Sequence, residues 1–276
     1  MDEARHIYER RRLRRRLGLW RLLAVAALAV AAGVFFWRDA ALGPYVARYA
    51  VTGVIVDDPA RDAMLREIAQ DEDVAGLILR VDSPGGTVPG SEALFQAVRA
   101  VAAEKPVAAV MGEVAASGGY IAALAADRLI ARGGTLTGSI GVVAEYPNVE
   151  ELLESVGVDV RKIASGPLKA EPSPFHEPDP QAIAYAETLI EDSHAWFVGL
   201  VAERRNLDPQ RARELGDGRV FTGRMALEDD LIDAIGGEPE ARAWLTEARG
   251  VDPELPVRDV EPDRKSTRLN SSHVCS

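Results

Sequence analysis

Three short segments rich in small residues could hold reacting groups: Asp82-Ser-Pro-Gly-Gly86, Ala115-Ala-Ser117-Gly-Gly-Tyr120 and Ser165-Gly-Pro-Leu-Lys169. Ser117 has the hydroxyl of an acyl-transfer nucleophile, but such a hydroxyl needs a neighbouring base to take its proton. At a strand-to-helix junction its Oγ would be exposed, and the Gly118 N–H would point with the helix dipole towards negative charge developing on a carbonyl oxygen. The same position suits a plain helix N-cap, the role that local sequence alone favours. Gly85 and Gly86 would let backbone N–H groups face a ligand, although Pro-Gly is also ordinary turn chemistry.

Histidine fits poorly as the base. His176 lies in a Pro-rich stretch and His194 on a helical one, neither with an acidic partner at recognisable spacing. Lysine is the alternative, because burial lowers an ammonium pKa and leaves a neutral amine. Lys169 follows a strand-like run and two turn formers and could reach across a crevice, while an isolated loop lysine is ordinarily solvated. The chain has one cysteine, Cys275, at its extreme end, so thiol catalysis and disulfides are not expected of the body. No cofactor or metal is called for.

These segments need elements to hold them. Residues 51–56, 73–81, 107–111, 128–131 and 160–164 read as strands. Helical spacing covers 60–70, 91–103, 120–126, 149–156, 181–205 and 209–214, with loops over 133–141 and 165–180. The near-continuous apolar run in 73–81 predicts a strand buried on both faces, as in a parallel sheet. The alternation predicts a layered α/β domain with right-handed crossovers. Asp82–Gly86 then falls where a buried strand ends, the usual site of a binding crevice.

The chain has 276 residues, 47% of them hydrophobic, and a formal net charge of −11. Because the first 21 residues are rich in arginine, the body is more acidic still, which argues against nucleic acid as a partner. Residues 19–37 (LWRLLAVAALAVAAGVFFW) are nearly all apolar and reach roughly 28 Å as a helix, close to a hydrocarbon core. Trp20 and Trp37 fall at interfacial depth, and the preceding positive charge assigns residues 1–18 to the cytoplasm. An uncleaved anchor over 19–37, a linker over 38–50, an exported domain over 51–250 and a tail over 251–262 are therefore expected. Residues 263–276 include DRKSTRLNSSH, which resembles the translation of a sequencing adapter, and are left out of the fold.

Taken in order, Leu-Arg-Val-Asp82-Ser-Pro-Gly-Gly86, Ala-Ala-Ser117-Gly-Gly-Tyr120, Leu-Thr-Gly-Ser139-Ile-Gly-Val and Ser165-Gly-Pro-Leu-Lys169 resemble the bacterial signal peptide peptidases, or protease IV. Asp217-Gly-Arg-Val-Phe-Thr-Gly223 and Leu231-Ile-Asp-Ala-Ile-Gly236 extend the resemblance. It implies a Clp protease/crotonase-like fold and a serine endopeptidase with Ser117 as nucleophile and Lys169 as general base. It further implies that Ser139 orients the lysine and that Gly86 and Gly118 form the oxyanion hole. Its members lie on the outer side of the cytoplasmic membrane, act on cleaved signal peptides and form dome-like homo-oligomers; this short form resembles the octameric type. Many relatives carry asparagine at Asp82, whose carboxylate is expected to point away from the oxyanion. The alternatives are a crotonase-type acyl-CoA enzyme, a protease of partner membrane proteins, and an inactive tethered scaffold.

Overall fold

The computed structural model describes Trp20, Arg21, residues 24–28, Val30 and residues 43–262. The chain divides into two units, residues 1–45 and 46–276. In the first, the described residues between 20 and 30 are helical, with Trp20, Val25, Leu28 and Val30 exposed. Most of the expected span over 19–37 lies outside the described residues. Among those described, no helix is long and apolar enough to cross a membrane.

A mixed α/β sheet organises the second unit. Among the described residues it has eight strands: β1 (Tyr45–Ile55), β2 (Val74–Gly86), β3 (Val107–Ala116), β4 (Arg128–Ala131), β5 (Leu136–Gly138), β6 (Val220–Thr222), β7 (Ala234–Ile235) and β8 (Val257–Asp259). The path runs β6-β5-β3-β2-β1-β8, with β4 pairing β3 and β7 pairing β4. β2 is buried on both faces, as its apolar run predicts: Leu77, Ile78, Leu79 and Val81 have no exposed surface. It pairs in parallel with β3 from Leu77↔Val107 to Val81↔Met111, and the register then shifts. Beyond the shift, Asp82 Oδ1 accepts the Val114 N–H at 3.2 Å, so this carboxylate serves the bulge.

β3 forks in its pairing. Residues 108–111 bond β4, and the last three residues, Val114–Ala116, bond β5 in parallel. β5 pairs antiparallel with β6. The end of β3, where the nucleophile candidate follows, is therefore flanked by β2 on one side and β5 on the other.

Helices α1 (Pro59–Gln70), α2 (Val88–Glu104), α3 (Gly118–Leu124), α4 (Glu150–Ser155), α5 (Pro180–Arg205), α6 (Pro209–Leu215), α7 (Gly223–Glu228) and α8 (Glu238–Arg249) accompany the strands. Asp58 caps α1 through the Ala60 and Arg61 N–H groups, and Thr87 caps α2 through Gly90. All seven residues of α3 are buried, which leaves its last carbonyls without water. Arg204 on α5 donates to Leu124 O and Ala126 O, and Arg99 on α2 donates to Ala125 O. These cations sit at the negative end of the α3 dipole.

Three expectations are corrected. Residues 160–164 are exposed and irregular, because among the described residues no strand lies beside them to take their backbone bonds. The expected loop over 133–141 contains β5, three residues made into a strand by pairing with β3. β1 begins at Tyr45, within the expected linker, and pairs β8 from the expected tail at Val46↔Val257. Arg48 fastens this end, bonding both carboxylate oxygens of Glu238 and those of Asp259.

Candidate active site

Ser117 joins β3 to α3 in a conformation that serine rarely takes, φ 52° and ψ −120°. This is the first central position of a type II′ turn, ordinarily glycine's, and it costs about 1–3 kcal/mol. The cap reading of Ser117 fails on two counts: its backbone is not extended, and its side chain makes no capping hydrogen bond. What holds the turn is tertiary, since the Ser117 N–H donates to Gly138 O on β5 at 2.8 Å. A strained strand-to-helix turn of this kind lifts a nucleophile's Oγ clear of the sheet.

Gly86 and Gly118 meet beside it. A Cβ on Gly118 would stand 3.1 Å from Gly86 N, and one on Gly86 would fall 1.8 Å from Ile55 O, so neither position has room for a side chain. The Gly118 N–H opens α3 and has no intrahelical acceptor. Gly85, expected with Gly86 to present its backbone to a ligand, also shapes the nucleophile turn. It packs so closely on the nucleophile turn that its Cβ would lie 3.0 Å from Ser117 Cβ, at φ +112°. The Gly-Gly dipeptide was the available signal.

Gly86, Ser117 and Gly118 line one small crevice with about 20 Å³ of open space. Val88, Ile121 and Val142 give it apolar walls, and Trp196 and Phe197 reach it from α5. Ser139 follows Gly138 directly and also has a positive φ, 49°. Its N–H donates to Arg219 O at 2.9 Å, so the Asp217–Arg219 turn buttresses this side. Asp217 is held near pKa 2, chiefly by the Arg219 guanidinium.

The structure thus brings Ser117, Gly118 and Gly86 together, with Ser139 next to the residue that holds the nucleophile. Lys169 is exposed, on a turn closed by its own N–H to Gly166 O, and is not among the residues lining this crevice. Just after it, Glu171 is nearly buried and accepts from Lys162 and from the Ser173 N–H at 3.0 Å, with His176 Nε2 standing 3.2 Å away. These bonds hold the Glu171 carboxyl below the usual range, with Lys162 the largest cause. His194 Nε2 faces Gly216 O at 2.6 Å, so neither body histidine is engaged with Ser117.

A strained serine turn with two facing backbone amides in an α/β sheet is the equipment of a serine hydrolase. Residues 99–252 match the model of peptidase family S49. The chain is 39% identical over 222 residues to a Synechocystis protein described as a candidate protease, slr0021, covering 80% of each chain. It is 34% identical to the chloroplastic serine protease SPPA of Arabidopsis thaliana and 36% identical to protease 4 of Salmonella typhi. Those alignments take in 74% and 67% of this chain but only 30% of either relative. Among solved structures, the S97A mutant of the membrane-bound stomatin-specific protease 1510-N shares the fold at TM-score 0.52 and 16% identity, covering 80% of this chain and 99% of that one. The chain belongs to peptidase family S49 and is a serine protease.

Proposed function

We propose that this protease is anchored in the cytoplasmic membrane by residues 19–37 and degrades cleaved signal peptides and similar apolar peptides on the outer face, using Ser117 and Lys169 as a dyad. The observation that carries the reading is the Ser117 turn, a strained backbone that leaves Oγ uncapped beside Gly86 and Gly118. A relative from Enterococcus faecium described as a candidate signal peptide peptidase, 32% identical and 63% covered by this chain, supports the substrate class. So do the crevice walls Val88, Ile121 and Val142, which would meet apolar side chains. Exposed apolar residues on the helical turns between 20 and 30 support the anchor.

The chemistry follows from the groups present. Ser117 Oγ attacks the peptide carbonyl carbon while its proton passes to a neutral Lys169 amine, and the Gly86 and Gly118 N–H groups hold the oxyanion. The tetrahedral species collapses, the C–N bond breaks and the leaving amine takes the proton from Lys169. Water, deprotonated in turn by the lysine, attacks the acyl carbon; the bond to Ser117 Oγ breaks, and the lysine returns the proton to that oxygen. Ser139 orients the amine.

A neutral amine requires burial, and in the single chain Lys169 is exposed. The segment carrying it has the surface to become buried. Val143, Leu152, Val156 and Ile163 are all more than 60% exposed, and α4 buries no residue at all. A soluble surface rarely leaves so much apolar side chain to water unless another surface covers it. Packing of this segment against further copies in a homo-oligomer, an octamer by the family resemblance, desolvates Lys169 and completes the site. The assay is cleavage of an apolar peptide by the full chain in detergent. Ser117→Ala and Lys169→Ala should each abolish it with assembly intact, and full turnover by either variant would rule out the dyad.

A further inference from the structure

Ser91 belongs to the first turn of α2 and is a buried polar residue, 1% exposed, to which the steps above assign no part. Its Oγ stands 2.2 Å from the point a Cβ on Gly118 would occupy, and Gly86 N stands 3.1 Å from that same point. The hydroxyl therefore fills the space that Gly118 leaves open, alongside the other oxyanion amide. It also lines the crevice that holds Ser117.

Its other contact runs to the Gly86 side. Ser91 Oγ donates to Thr87 O at 2.9 Å, and Thr87 is the residue after Gly86. Thr87 is fixed at every polar atom: its N–H donates to Ile55 O, its Oγ1 accepts from Gly90 N–H, and its carbonyl already accepts the Ser91 N–H at 3.0 Å. The helix bond to Thr87 O is thus made without the hydroxyl, and back-bonding of this kind adds little to a helix. What the hydroxyl adds is a link: one atom bonded to the residue behind Gly86 and packed against Gly118.

We infer that Ser91 is a positioning residue that sets the spacing of the Gly86 and Gly118 amides, and so the fit of the oxyanion hole to the transition state. The inference rests on the assignment of those amides under the proposed function. Oxyanion donors act only when aimed at where charge develops, and a misplacement on the order of 1 Å costs about a hundredfold in rate. Removing the spacer should therefore weaken transition-state binding while leaving ground-state peptide binding alone.

The test compares wild type, Ser91→Ala and Ser91→Cys as full chains in detergent, measuring kcat and KM for an apolar peptide, inhibition by the matching peptide aldehyde, and the thermal midpoint. Ser91→Ala should lose roughly ten- to a hundredfold in kcat, with KM within about twofold and aldehyde affinity falling in parallel. Ser91→Cys, which keeps a heavy atom in the gap, should recover most of both. Wild-type kcat and aldehyde affinity in Ser91→Ala would overturn the inference. So would losses that follow only a fall in thermal midpoint, or a Ser91→Cys variant no better than alanine. A wild-type enzyme that the aldehyde does not inhibit would instead count against the Ser117 assignment itself.

Discussion

The Ser117 N–H donates to the Gly138 carbonyl at 2.8 Å, so the residue before Ser139 holds the nucleophile in its positive-φ turn. Gly138 is itself at φ +73°, and a Cβ there would meet Phe221 Cδ2 at 2.4 Å. Phe221 is 2% exposed and has little room to yield. Gly138→Ala should displace the carbonyl that fixes Ser117 and lower kcat by about a hundredfold, since nucleophile placement is felt at the ångström scale. Circular dichroism would show the fold retained, and wild-type turnover would show that the turn does not depend on this bond.

Part of this arrangement was readable beforehand. The β4 boundaries fall where the Arg128–Ala131 run places them, and the apolar run of β2 announced a strand with two buried faces. Ala-Ala-Ser-Gly-Gly-Tyr reads locally as a cap, because the contact that bends Ser117 comes from Gly138 on another strand. Residues 160–164 looked like a strand because alternation says nothing about whether a neighbour exists to pair with. Ser91 carried no signal, because a serine in the first turn of a helix is ordinary until Gly118 is seen against it.

The turn bearing Lys169 should respond to acid. Glu171 bonds Lys162 and the Ser173 N–H and lies 3.2 Å from His176 Nε2, and its folded pKa lies below the ordinary glutamate value. A depressed carboxylate pKa means that the contribution is fully present above the unfolded value and is lost as pH falls through the folded one. Limited proteolysis within 162–176 should therefore be slow at neutral pH and accelerate only in acid, below the usual glutamate range. Glu171→Gln should be cut readily at pH 7; equal protection of variant and wild type at pH 7 would remove Glu171 from this role.

Assembly and activity should fail together. Ile163 is fully exposed in the single chain, within the segment that also carries Lys169. Ile163→Asp would put a charge into any contact made there, at a cost of several kcal/mol if buried unpaired. Light scattering should show a smaller species for the variant, with peptide cleavage reduced about tenfold or more and the thermal midpoint of the monomeric fold unchanged. An intact oligomer at full activity would exclude this surface from the interface.

The central claim, that Lys169 activates Ser117, is tested most directly by labelling the full chain with a serine-reactive fluorophosphonate across pH and mapping the modified residue by mass spectrometry. Wild type should be labelled at Ser117 at a rate that rises with pH, and Lys169→Ala should remain unlabelled over the same range. Equal labelling of Ser117 in Lys169→Ala, with the same pH profile, would contradict it.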